Sequence, residues 1–231
     1  MRPKTFYSLI TLASLSATWL PASAELDLAG IWMLQGPGTE SEYLPTARAS
    51  AIQAEYDLLS DDPSLYCVPS SASRVWANPN VRIAFEQSDQ FLNISYEFFD
   101  LRRAIPFGDP SQISEEPSTQ NISGTLFPEM GSSVAFYEGQ TLVIESRNHA
   151  PGYIRTSRGI PQSENTVTRE ELTMEDGLLH ITHTYVDESL FEAPFVLTYS
   201  FRRIEGDEVP LYECTDADYD WFNELNADQG N

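Results

Sequence analysis

Two stretches place carboxylates where they could do chemistry. In "LNISYEFFDLRRAI", Asn93, Ser95 and Glu97 fall on one face of an extended segment and Ile94, Tyr96 and Phe98 on the other; in "TLVIESR", Thr141, Val143 and Glu145 share a face. A carboxylate turned inward is costly unless a cation or hydrogen-bond donors meet it. An enclosed Glu97 or Glu145 therefore calls for Arg74, Arg102 or Arg103 as partner. Carboxylates and an arginine among Phe, Tyr and Val make a polar anchor in an apolar cavity, the usual build of a small-ligand site. With a pKa raised by burial, the same Glu would serve as the general acid/base of a lyase, hydratase or isomerase, an Arg or Tyr steadying developing charge. On the outer face these charges would only lace neighbouring strands.

Other candidates carry less. His180 and His183 lie three apart in "LHITHTY", and residues three apart on a strand point to opposite faces, so they cannot chelate one ion. Asp216, Asp218 and Asp220 alternate like the start of a calcium loop, but Trp221 stands where that loop needs Gly and Ala227 where it needs Glu. Ser163 in "PQSEN" lacks the nucleophile elbow of a serine hydrolase. No metal site, cofactor or catalytic residue is predicted. Cys67 and Cys214 are the two cysteines, and neither has a His or a local positive charge to activate it. They are expected to pair, stabilising the fold by about 5 kcal/mol on the chain-entropy account.

The elements that must position these residues are mostly strands. "TARASAIQAEYDLL", Thr46 to Leu59, reads as the single short helix near the N-terminus, with Thr46 as its cap. An irregular segment carrying Cys67, Arg74 and Trp76 runs to Asn80. From Val81 the period becomes two, and hairpins are expected around Ser88-Asp89, Glu138-Gly139 and Asp176-Gly177. "PFVLTYSFRRI" and "PLYECT" read as the last strands. Gly108 to Gly124 and Asn148 to Gln162 read as loops.

Arg2 and Lys4, the apolar stretch Phe6 to Leu20 and Ala22-Ser23-Ala24 form the three parts of a secretory signal peptide, cut after Ala24. The apolar stretch is shorter than the roughly 20 residues of a membrane span. Residues 25–215 then form one barrel domain and 216–231 an acidic tail. Lys+Arg number 13 against 35 Asp+Glu, a formal charge of −22, and the expected cleavage makes the balance more negative and removes the lone lysine. Such a field repels phosphate backbones and anionic headgroups, which excludes nucleic acid as a partner, and it suits a salty medium. Cleavage of the signal peptide leaves no membrane span and implies a periplasmic or secreted setting, where an oxidising medium would let the cysteines pair. The sequence assigns no oligomeric state.

Gly30-Ile31-Trp32 on the first strand, with Arg202 and Arg203 on a late one, looks like the lipocalin arrangement in which a tryptophan packs under an arginine where the barrel closes. Longer stretches, "DLAGIW", "CVPSSASR", "YEFFDLRRAI", "GSSVAFYEGQTLVIES", "PQSENTVTRE" and "FVLTYSFRR" followed by "YEC", resemble a large family of secreted, mostly uncharacterised bacterial proteins with a lipocalin-like barrel. Two histidines common in such proteins are replaced here by Ser132 and Gln162, which removes any acid–base role they would serve. The resemblance implies that Arg74, Glu97, Arg103, Glu138, Glu145, Ser163, Glu164 and Glu170 matter. The expectation is an all-β, antiparallel, up-and-down calycin-like barrel of about eight to ten strands. It would bind a small, largely apolar molecule through Arg74, Glu97, Arg103, Glu145, Ser163, Glu164 and Glu170. The alternatives are the Glu-dependent enzyme above and an envelope structural or interaction protein with a filled core.

Overall fold

The computed structural model describes residues 26–206 and 208–216. The expected signal peptide lies outside the described residues, as does the acidic tail beyond Asp216, Asp218 and Asp220 included. In chain order the elements are β1 Gly30–Leu34, β2 Thr39–Glu40, α1 Ala47–Glu55, α2 Leu58–Asp61, α3 Ala72–Trp76, β3 Arg82–Gln87, β4 Phe91–Tyr96, β5 Leu101–Pro106 and β6 Thr119–Asn121. They continue as β7 Ser132–Glu138, β8 Thr141–Arg147, β9 Gly152–Arg155, β10 Ile160–Gln162, β11 Val167–Glu175, β12 Leu178–Val186 and β13 Phe195–Ile204.

The large sheet runs β6-β5-β4-β3-β1-β13-β12-β11-β8-β7, antiparallel throughout, so two meanders are joined where the first strand pairs with the last. A parallel bridge between Phe107 and Ala135, with Gly108 N–H donating to the Ala135 carbonyl at 3.0 Å, brings the two ends of the sheet together. The chain is an all-β, antiparallel barrel. Its strands alternate as the period of two demands: Leu101, Arg103 and Ile105 point inward on β5, Leu142, Ile144 and Ser146 on β8, and Phe195, Leu197, Tyr199 and Phe201 on β13.

Trp32 pairs in register with Arg203, whose guanidinium carbon lies 4.9 Å from the indole centroid; Arg202 instead reaches the Met33 sulfur. At a partly exposed site such a cation–π contact contributes about 0.5–1 kcal/mol. Gly30 explains its own place in the pattern. Its φ is +107°, and a Cβ there would press on the Arg203 side chain at 3.4 Å, so only glycine lets the arginine lie flat. The indole Nε1 donates to the Leu28 carbonyl at 2.9 Å.

The structure departs from the sequence reading in four places. The expected helix stops at Glu55 because Tyr56 turns extended (ψ 128°) to set its ring 4.4 Å from Tyr153; Asp57 then caps the separate α2. The segment read as irregular contains α3, capped by the Ser71 hydroxyl accepting from Arg74 N–H. The second loop, Asn148 to Gln162, carries the β9–β10 hairpin, and the first contains β6. "PLYECT" is not a strand: Glu213 is left-handed (φ 52°), Tyr212 packs edge-on against Phe98, and both backbone N–H groups of Tyr212 and Glu213 donate to the Asp100 carboxylate. The segment is fastened by the disulfide between Cys67 and Cys214, whose Cα atoms lie 5.9 Å apart.

Candidate functional site

The barrel lumen is crossed by a buried polar cluster. Arg103 from β5 meets Glu170 from β11 at 2.7 Å, and its other amino group reaches the second carboxylate oxygen at 3.2 Å. The guanidinium also donates to Tyr96 on β4, Ser133 on β7 and Ser146 on β8, leaving its Nε without a partner. The indole of Trp76, at the end of α3, donates to Glu170 at 2.6 Å. That indole lies against Phe85, Tyr96, Phe201 and His183, inward residues of four strands, so α3 plugs the lumen from one end.

The electrostatics follow from this packing. Burial pushes the Glu170 carboxyl up, but the charge of Arg103, then His183 and the hydrogen bonds from Arg103 and the indole, together outweigh it, and the net result lies below the usual carboxylate range. Glu170 is thus held ionised, the reverse of what a general acid needs. His183 is fully buried with both ring nitrogens unpartnered, Nδ1 standing 3.9 Å from Glu170; burial, helped by Arg103 and opposed by Glu170, pulls its pKa down to about 4. Tyr96 is pushed up by burial.

A cleft of about 360 Å³ opens where α3 enters the barrel, walled by α2, α3, the β9–β10 hairpin and β13. Arg74, Arg155, Tyr199, Asp62 and Ser73 supply its polar lining, and Leu58, Ala77 and Pro79 its apolar side. Arg155 is anchored: it donates to the Tyr199 hydroxyl at 3.1 Å and pairs with Glu40 at 3.2 Å, while Glu40 also holds Arg158. Gly38 lets this corner close, since with φ +70° it sits so near Tyr199 that a Cβ would meet the ring at 2.4 Å. Arg74 is different. Its guanidinium carbon lies 5.0 Å over the Phe98 ring, and among the described residues its guanidinium has no hydrogen-bond acceptor and no carboxylate at ion-pair distance. Burial draws its pKa down, with Asp62 opposing.

The residues singled out from sequence are dispersed. Arg103 and Glu170 meet each other in the lumen. Arg74 lines the cleft. Glu97 accepts from Arg82 N–H at 2.8 Å at the end of β4. Glu145 lies on the outer face, paired with Arg147 at 2.6 Å, and Glu138 pairs with Arg169 on that face. Ser163 donates to Asp187 at 2.5 Å, and with Glu164 borders a smaller cavity of about 230 Å³ beside Arg48, Ile52 and Tyr153. His180 and His183 do face opposite ways, His180 outward to Ser200. Sequence reasoning missed the parts played by Trp76, Arg155, Tyr199 and His183. The inward alternation of β12 and β13 would have found His183 and Tyr199; Trp76 and Arg155 sat in segments with no period to read. Among the described residues no group of three His, Cys, Asp or Glu could hold a metal ion.

No protein-family model and no curated protein matches the chain. Among solved structures it is similar to the fluorescent protein UnaG, at 15% identity over 76% of this chain and 96% of that one, with a TM-score of 0.40. A point mutant of UnaG is similar at 14% identity over 77% and 96%, with a TM-score of 0.39. Likeness at this level transfers neither ligand nor residue roles.

Proposed function

We propose that this chain is an exported calycin-like barrel that binds a small molecule with an apolar body in the cleft beside α3, with Arg74 as its polar anchor. One observation carries the reading: the lumen is crossed by Trp76 and the Arg103–Glu170 pair, while the cleft at its mouth joins apolar wall to a guanidinium that has no carboxylate partner among the described residues. Its volume is near the lower end of small-molecule sites. In this reading Arg103 and Glu170 brace the barrel, and Glu97, Glu145, Ser163 and Glu164 serve local structure. Export is supported by the layout of residues 1–24 and by the Cys67–Cys214 bond, which suits an oxidising compartment. Among the described residues no helix is long and apolar enough to cross a membrane.

The test is titration of the mature protein with Nile red, a neutral apolar dye. Saturable fluorescence is expected, and Ser157→Trp, which fills the cleft from an exposed rim position, should abolish it without changing the melting temperature. The filled lumen also fits a purely structural barrel. Absence of saturable binding, or binding that survives Ser157→Trp, would favour that alternative.

A further inference from the structure

In a chain whose acids outnumber its bases 35 to 13, an arginine without a carboxylate partner is not short of candidates. Among the described residues ion pairs hold Arg103, Arg147, Arg155, Arg158, Arg169 and Arg203, while Arg48, Arg74, Arg82, Arg102 and Arg202 pair with no carboxylate; of these five only Arg74 lines the cleft beside α3. Arg74 is half-buried, and among the described residues its guanidinium meets only the face of Phe98. A partly desolvated guanidinium with free donors is costly to maintain and favours an incoming anion. Its planar fork matches a carboxylate in two parallel hydrogen bonds. Arg155 lines the same cleft, and Tyr199 and Glu40 hold its side chain in place, so a second guanidinium is already oriented there.

We propose that the cleft is an oxyanion site, in which Arg74, assisted by Arg155, binds the carboxylate of a small amphiphile whose apolar body lies against Leu58, Ala77 and Pro79. This rests on the cleft being the ligand site and adds the class of ligand. The lining holds two arginines against one aspartate, Asp62, so its formal balance is a single positive charge and suits a monoanion better than a phosphate dianion. Asp62 acts on Arg74 through its charge but stands beyond ion-pair distance, one of its carboxylate oxygens accepting from Ser64 N–H at 2.9 Å. Leu58, 46% exposed, extends the apolar wall to the rim.

A matched series of octanoate, octanol, octylamine and octyl phosphate, titrated calorimetrically into the disulfide-intact mature protein, tests this. Octanoate should bind saturably, and the other three roughly tenfold to a hundredfold more weakly, the range that charge-assisted hydrogen bonds supply. Arg74→Gln should weaken octanoate by a similar factor, and Arg74→Lys should recover part of the loss. Octanol or octylamine binding as well as octanoate would overturn the oxyanion site while leaving a small-molecule cleft standing. Tighter octyl phosphate would overturn the choice of a monoanion. If none of the four binds, both readings fall.

Discussion

His183 shows how one buried side chain makes stability depend on pH. Its imidazole is pulled from 6.5 down to about 4, chiefly by burial. Between those values the unfolded chain holds a proton that the native chain does not, so stability rises with pH across that window and is lost as pH falls through it. The full effect is about 3 kcal/mol. His149, also buried, is drawn in the same direction, whereas the depressed Glu170 carboxyl loses its contribution only at lower pH, below its usual 4.5. Urea unfolding of the wild type should therefore show a loss on the order of 2–3 kcal/mol between about pH 7 and about pH 4.5. His183→Phe should remove most of that slope, and an unchanged slope would mean that this ring is not buried neutral. The strand pattern puts His183 on the apolar face of β12 with Leu179, Ile181 and Tyr185 and His180 on the other, but it is silent on what His183 meets inside. That is settled by Glu170 and Trp76, residues distant in the chain that only the closed barrel brings to His183.

At the scale of elements, the last described segment has no ladder to hold it. Cys214, the Asp100 carboxylate and the ring of Phe98 tie it down. The disulfide spans 147 positions, and loops of that length give the largest chain-entropy gain. Cys214→Ser should cost about 2–5 kcal/mol and lower the melting temperature on the order of 10 °C in scanning calorimetry, with reductant having the same effect on the wild type. A shift of less than a degree or two would show that the tail contributes little to the fold. The hairpins were legible because Asp176-Gly177 and its counterparts combine period-two flanks with residues that accept positive φ. The helical plug was not. α3 is five residues long, buried on nearly all sides, and offers no amphipathic stripe to read. For the same reason the candidate site was only partly visible. Arg74 stood out by type, but its neighbours Arg155 and Tyr199 arrive from a hairpin and a strand far along the chain.

The whole molecule combines a strongly negative surface field with a cleft of opposite sign. At low ionic strength a formal charge of −22 opposes the approach of any anion, and at about 0.1 M salt the screening length falls to about 10 Å, so the cleft acts locally on a ligand that has already reached it. The barrel is braced from inside: the Arg103–Glu170 pair links β5 to β11, and Trp76 ties the plug to that pair. A guest seated among these side chains would have to displace the plug, which is why the ligand is placed outside the lumen. A crystal structure of the mature protein soaked with octanoate tests that placement most directly. Carboxylate density is expected within hydrogen-bond distance of the Arg74 guanidinium, with Trp76 still bonded to Glu170. Density inside the barrel with Trp76 displaced would contradict it.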